Sequence, residues 1–249
     1  MTSSIPRQFK HPISSEMVEQ YRLLDVACIS DVTQGLQLNC VYQGLKPLIR
    51  TWKICGPAIT IRLIPIQDRR NWYKEEQHPG SLMNIAQPGD VIVIDQGGYV
   101  EKAIWGSNTS ILAKTLDLGG IVIDGACRDN EQIIECGFPT FVRSTTCMHG
   151  HGTLRSTCYN SEPVKLGSIS VAPGDLIVGN SDAIIAIPAE RAGEILELSK
   201  EMQYDDSQTL SKIEHQAKTR QLFRRSGATS DAMRRNWELK GLEIPRESD

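Results

Sequence analysis

"GGIVIDGACRDN", residues 119–130, leads an apolar run straight into an arginine and an aspartate. Ile121, Val122 and Ile123 are consecutive β-branched residues, the composition of a strand covered on both faces. Asp124-Gly125-Ala126-Cys127 is expected to break that run, which leaves Arg128 and Asp129 side by side at the strand's mouth. Upstream, the turn Pro88-Gly89-Asp90 delivers a second buried strand, Val91 to Asp95, and Gln96-Gly97-Gly98 ends it. Ala103 to Leu116 has helical periodicity between the two. Strand, helix and strand in that order define an α/β protein, whose ligands gather at the carboxyl ends of the strands.

The rest of the chain continues the alternation. Ser15 to Leu24 has helical spacing, and Ile29 to Val32 is expected to cap a second short helix. Cys55 to Arg62 reads as a strand entered through Gly56-Pro57, and Leu82 to Ala86 as the close of a helix. Thr140 to Val142 and Ile169 to Val171 are further strands, and a second turn, Pro173-Gly174-Asp175, opens Leu176 to Val178. Two such turns repeat a device without making a repeat protein. From Ala189 to Lys218 the chain is helical and charged, with Glu194, Glu197, Lys200 and Glu201 on a solvated or subunit-facing surface. Residues 219–249 are polar, with Met233, Trp237, Leu239 and Leu242 as anchors that ask for a partner surface. The expected organisation is one α/β domain over 1–218 and a C-terminal arm over 219–249, packed on a neighbouring subunit.

Composition narrows the function classes. The 249 residues are 40% hydrophobic and 23% charged, the balance of a globular enzyme. A net charge of −3 provides no basic surface for nucleic acid. No apolar stretch approaches the ~18 residues that span a bilayer. The N-terminal MTSSIPRQFKHP has no apolar signal core, which sets a cytoplasmic expectation. Seven cysteines without a CxxC pair argue against a disulfide framework or a structural zinc site.

The residues themselves suggest a chemistry. No G-x-G-x-x-G opens the helix after Gly97-Gly98, so a dinucleotide site is not expected. Trp105-Gly106-Ser107-Asn108-Thr109 does open a helix, and free N–H groups at a helix start bind carboxylate or phosphate. Arg128 would clamp the same anion in bidentate fashion. Asp129 would offer an oxygen ligand to a divalent cation, and a site with one carboxylate suits Mg²⁺. The plain alternative for Arg128-Asp129 is a surface ion pair that orders a loop. His149 and His151, in "CMHGHGT", read either as a metal pair or replacement base, or as ordinary loop histidines. Cys127 has no histidine nearby in sequence and reads as a small residue filling a tight turn, not a nucleophile. Trp105 reads as packing at the helix start.

"WGSNTSILAKTLDLGGIVIDGACRDN" (105–130) resembles the Gly-x-x-x and Arg-Asp pattern of the RraA-like proteins, and among them the class II 4-hydroxy-4-methyl-2-oxoglutarate/4-carboxy-4-hydroxy-2-oxoadipate aldolases. The likeness runs from about residue 20 to residue 245. Its other markers are "LLDVACISDV" at 23–32, "KICGPAITI" at 53–61, "PGDVIVID" at 88–95 and "PGDLIVGNSDAIIAIP" at 173–188. The tail "SGATSDAMRRNWELKGLEIP" (226–245) is similar to the aldolase branch's extension, which the shorter RNase E regulators lack.

The resemblance implies a layered α/β sandwich of the swivelling phosphohistidine-domain type, assembled as a homotrimer or homohexamer. It implies a pyruvyl substrate held by backbone amides of Gly106, Ser107, Asn108 and Thr109, with Arg128 as the substrate-binding arginine. Asp129 becomes the anchor for Mg²⁺, Mn²⁺ or another divalent cation. Arg128 and Ser107 occupy the catalytic positions of a metal-dependent retro-aldol cleavage of a 2-oxo acid, with oxaloacetate decarboxylation as a side activity. Several positions depart from the pattern. Ser107 stands where the aldolases usually carry an acid, Asn108-Thr109 where aliphatic residues are common, and Asn180 and Ala183 where Asp and Gly are usual. The binding half of the site is kept and the proton-handling half is altered.

Overall fold

The two strands of the opening unit lie side by side and parallel, with Ile92 opposite Ile121 and Ile94 opposite Ile123. The computed structural model describes residues 12–66, 70, 79–218 and 238–241, with side chains up to residue 211 in the long final helix. Eleven strands are present among these: β1 (Val41–Tyr42), β2 (Lys46–Pro47), β3 (Ile54–Pro65), β4 (Val91–Asp95), β5 (Gly120–Cys127), β6 (Thr140–Thr145), β7 (Leu154–Thr157), β8 (Val164–Leu166), β9 (Ile169–Val171), β10 (Leu176–Gly179) and β11 (Ile184–Ile187). Nine form one sheet in the order β1-β11-β10-β3-β4-β5-β6-β2, with β7 also paired to β3. Strands β3 to β6 are parallel to one another, and the flanking pairings are antiparallel. The remaining two strands, β8 and β9, make a hairpin.

Both faces of the parallel strands are covered, which is why their sequences run apolar without alternation. Ile92, Ile94, Ile121 and Ile123 face a cluster with Trp105, Ala113 and Ile133, carried by and around helices α3 (Ser107–Thr115) and α4 (Asn130–Cys136). Val91, Val93 and Val122 face the other way, onto Val164, Leu166, Ile169 and Val171 of the hairpin. Each such fully buried side chain contributes roughly 1.5–3 kcal/mol. A third cluster lies where helices α1 (Ser15–Arg22), α2 (Val26–Gly35) and α5 (Ala192–Lys218) pack on Leu176, Val178, Ile185 and Ile187. The result is the layered α/β arrangement the sequence implies.

Four expectations are corrected in detail. β5 does not break at Asp124; it continues to Cys127, with a register shift against β6 between Ile123 and Ala126. The helical stretch read from Ala103 begins only at Ser107, because residues 103 and 105 are bridged to other strand-like segments. The second helix spans Val26–Gly35, starting before Ile29, and the helix close read over Leu82 to Ala86 overlaps a short 3₁₀ helix over Pro79–Asn84.

Both Pro-Gly-Asp turns have the same construction. Gly89 and Gly174 each sit at φ +89°, which glycine adopts without strain at the third position of a type II turn. Asp90 accepts from the Gln87 N–H at 2.8 Å, and Asp175 from the Ala172 N–H at 2.7 Å. Of the C-terminal anchors, Leu239 packs on its own chain's α2, so close that a Cβ on Gly35 would lie 2.6 Å from the Leu239 Cβ. Met233, Trp237 and Leu242 lie outside the described residues. No described helix is long and apolar enough to cross a membrane.

Candidate active site

The site is organised by a strap of three residues. Ala103, Ile104 and Trp105 lie buried between the end of β5 and the loop after β6, bridged at Ala103 and Trp105 with a bend at Ile104. On one side Trp105 bridges Cys127, and the Arg128 N–H donates to the Trp105 carbonyl at 3.1 Å. On the other side Ala103 bridges His149. The Ala103 N–H donates to the Met148 carbonyl at 2.8 Å, and the Gly150 N–H donates to the Ala103 carbonyl at 2.6 Å. The Trp105 indole N–H donates to Ser110 Oγ at 2.8 Å, locking the strap to the first turns of α3. Trp105 is therefore packing, as expected, but packing that aims the site.

Gly106 follows the strap in an extended conformation and is the N-cap of α3. A Cβ there would fall 2.6 Å from Asp129 Oδ2 and 3.1 Å from Arg128 Cγ, so only glycine lets the Arg-Asp pair come this close. Asp129 has φ +57°, a left-handed conformation that is rare outside glycine and concentrated at functional positions. It stands at the N-cap of α4 without capping it, and its side chain reaches across to α3 instead. Asp129 Oδ2 accepts from the Ser107 N–H at 3.3 Å and the Ser107 hydroxyl at 3.2 Å, and Oδ1 accepts from Arg128 Nε at 3.0 Å.

Burial alone would raise the Asp129 carboxyl, but the Arg128 hydrogen bond, the Ser107 bonds and the guanidinium charge outweigh it. The group is held below the usual carboxylate range and stays ionised. Cys127 is the opposite case: burial pushes its thiol up to about 12, which removes it as a nucleophile.

These elements enclose a cavity of about 290 Å³. Its walls are the strap, Gly106, Asn108 and Thr109 of the helix start, Arg128 and Asp129, and His149 with His151. Ser107 meets the cavity through Asp129 and is not part of the lining. The imidazole rings of His149 and His151 lie 5.8 Å apart, both exposed at the rim. Sequence reasoning missed the strap, whose signal was present: Ala103-Ile104-Trp105 is an apolar triplet that a solvent-facing helix would not carry whole.

Other singled-out residues lie elsewhere. Asp124 points to the opposite face, where it accepts from the Arg143 guanidinium and from the Gly167 N–H at 2.9 Å. Asp95 does likewise with Arg62 Nε at 3.0 Å and the Lys165 N–H at 3.1 Å. The two carboxylates thus fasten the β8–β9 hairpin. Asn180 and Ala183 shape the β10–β11 turn. Among the described residues no group of three or more His, Cys, Asp or Glu is placed to hold a metal ion. A cation here would have one protein carboxylate and take its other ligands from water and substrate, which is the habit of Mg²⁺. The residues present fit such an ion.

A sheet with a parallel centre and a small polar cavity beside the end of β5 defines a mixed α/β protein with a candidate binding site at that place. The chain belongs to the RraA-like family: its Aldolase/RraA model matches residues 26–186. A protein of Halalkalibacterium halodurans named "Putative 4-hydroxy-4-methyl-2-oxoglutarate aldolase" is 35% identical over 191 residues, 77% of this chain and 85% of that protein. The solved structure of Streptomyces coelicolor RraAS2, described as an unusual member of the RNase ES inhibitor RraA protein family, is similar with a TM-score of 0.70. It is 25% identical, over 82% of this chain and 98% of that one. An uncharacterised protein from Pseudomonas syringae pv. tomato shares the fold with a TM-score of 0.73 at 22% identity, over 85% of this chain and 95% of that one.

Proposed function

We propose that the protein is a divalent-metal-dependent lyase that cleaves a small 2-oxo acid carrying a second carboxylate, through a pyruvate enolate. One observation carries this reading: Arg128, Asp129 and the start of α3 converge on a single cavity of a size suited to a small acid. Arg128 spends its Nε–H on Asp129, and an arginine has four further N–H donors for a substrate carboxylate or oxo group. The N-terminus of α3 adds a partial positive charge on the same side. When the carbon–carbon bond breaks, its electron pair becomes an enolate, and these fixed positive groups stabilise the charge without reorganising. A divalent cation held by the ionised Asp129 would supply Lewis-acid stabilisation of the same charge. Breaking the carbon–carbon bond of oxaloacetate produces the same enolate, so decarboxylation is the expected side activity. A homotrimer or homohexamer is part of the proposal.

The test is pyruvate release from 4-hydroxy-4-methyl-2-oxoglutarate and from oxaloacetate, with Mg²⁺ or Mn²⁺ and then with chelator. Turnover that needs the metal supports the lyase. No metal-dependent turnover of either acid overturns it.

A second reading is a binding protein without catalysis, in the manner the RraAS2 description suggests for that relative. Ser107 favours it, because a serine hydroxyl tied to Asp129 is no base near neutrality. Thermal unfolding with oxalate and Mg²⁺ separates the two. A ligand at 100 times its dissociation constant adds about 2.7 kcal/mol, and the absence of any shift favours the binding protein of a different ligand.

A further inference from the structure

The cavity contains a binding half that is complete and no obvious group to move a proton. Cleavage of a hydroxylated oxo acid requires one, since the hydroxyl proton must leave as its carbon becomes a carbonyl. The polar groups in the cavity and just behind it can be taken in turn. Arg128 stays cationic at any pH a protein survives. Asp129 has both carboxylate oxygens engaged, by Arg128 and Ser107. The Ser107 hydroxyl donates to Asp129, and the Thr109 hydroxyl is bonded to the Gly106 backbone, to its carbonyl at 2.9 Å. Cys127 is fully buried behind the strap and does not reach the cavity. Asn108 does not titrate. Two imidazoles are left, His149 and His151, and an imidazole nitrogen can accept a proton and give it back.

Of the two, His149 is the one bridged directly to the strap, at Ala103. The residues on either side of it, Met148 and Gly150, both hydrogen-bond Ala103, at 2.8 and 2.6 Å. The same strap holds Arg128 on its other edge, through the Trp105 carbonyl. Arg128 and His149 therefore flank the strap on opposite edges and line the same cavity.

We infer that His149 is a catalytic residue, the general base and acid of the cleavage, with His151 beside it at the rim. This rests on the lyase reading above. Neutral His149 accepts the proton of the hydroxyl on the carbon that departs. The carbon–carbon pair passes to the pyruvyl fragment as the enolate, the hydroxyl carbon becomes a carbonyl, and the imidazolium returns its proton to the enolate carbon. The products are pyruvate and a second oxo acid, with no net proton consumed. Decarboxylation of oxaloacetate has no hydroxyl proton to remove, so it depends less on the base.

The experiment compares wild type, His149→Gln and His151→Gln on 4-hydroxy-4-methyl-2-oxoglutarate and on oxaloacetate, with Mg²⁺ and with melting temperatures measured alongside. General acid–base catalysis is worth about 10²–10⁴-fold. The ratio of aldol cleavage to decarboxylation should therefore fall at least ~100-fold in His149→Gln, in kcat, and much less in His151→Gln. An unchanged ratio with wild-type turnover overturns the role of His149 and leaves the lyase standing. So does a loss confined to KM for both acids, which would make His149 a binder of the distal carboxylate. A selective loss in His151→Gln alone overturns the assignment too. If the wild type turns over neither acid, the lyase reading and this inference fall together.

Discussion

At the scale of single residues, the Arg128–Asp129 pair answers why a cation and an anion stand together at the mouth of β5. Arg128 orients the carboxylate and keeps it ionised, and the carboxylate in turn fixes the guanidinium for a ligand. The pair was legible from its place after an apolar run. Its geometry was not, because the left-handed backbone at Asp129 and the near contact with Gly106 depend on segments more than twenty residues apart. Arg128→Lys should raise KM for oxo acids roughly 10–100-fold, because lysine keeps the charge but loses the planar fork; hydrogen bonds to charged groups are worth about 1.5–3 kcal/mol. Asp129→Asn tolerates the same backbone and shape while removing the charge. It should leave the melting temperature nearly unchanged and abolish stimulation by Mg²⁺. Metal-stimulated turnover in Asp129→Asn equal to that of wild type would show that Asp129 does not anchor the cation.

Elements were legible where one period dominated. The buried strands β4 and β5 were plain because both faces are apolar, and the Pro-Gly-Asp turns because proline and glycine have few conformations. The strap was misread as helix because apolar residues near a helix start satisfy a helical period by chance. What overrides that period is a pair of long-range bridges, to Cys127 and to His149; the apolar triplet signals burial but not these partners. The turns permit a clean test of backbone strain. A Cβ at Gly89 would meet nothing within 4 Å, so Gly89→Ala reports only the cost of φ +89°, about 1–2 kcal/mol. That corresponds to a fall in melting temperature of roughly 2–8 °C for a chain of this size. Gly56→Ala, whose Cβ would sit 2.1 Å from the Gly89 carbonyl oxygen, should be far more damaging, since backbone has nowhere to move. Equal melting temperatures for the two variants would contradict the turn's role as a rigid support of the β3–β4 pair.

For the whole molecule, the proposed cyclic assembly needs a surface, and the outer faces of α3 and α4 provide one. Ile111 and Leu112 on α3, Leu116 at its end and Ile134 on α4 are 50%, 49%, 38% and 38% exposed, while Ala113 and Ile133 on the same helices point inward. Four of the eight exposed large apolar side chains among the described residues sit on or at the end of these two helices, and would give a second copy a contact surface beside the cavity walls at Gly106, Asn108, Thr109 and Asp129. A second copy of the chain is the occupant that a closed ring requires, and it would bring its own residues close to the mouth of the site. The arm over 219–249 is not needed for this argument, since the part of it that is described, Leu239, packs on its own α2. Leu112→Glu puts a charge on a half-exposed position, which costs an isolated chain within about 0.5 kcal/mol but is expensive in an apolar interface. Sedimentation should show a trimer or hexamer for the wild type and a folded monomer for Leu112→Glu, with oxo-acid turnover reduced in the monomer. A wild-type chain that sediments as an active monomer would remove the shared boundary from the account of the site.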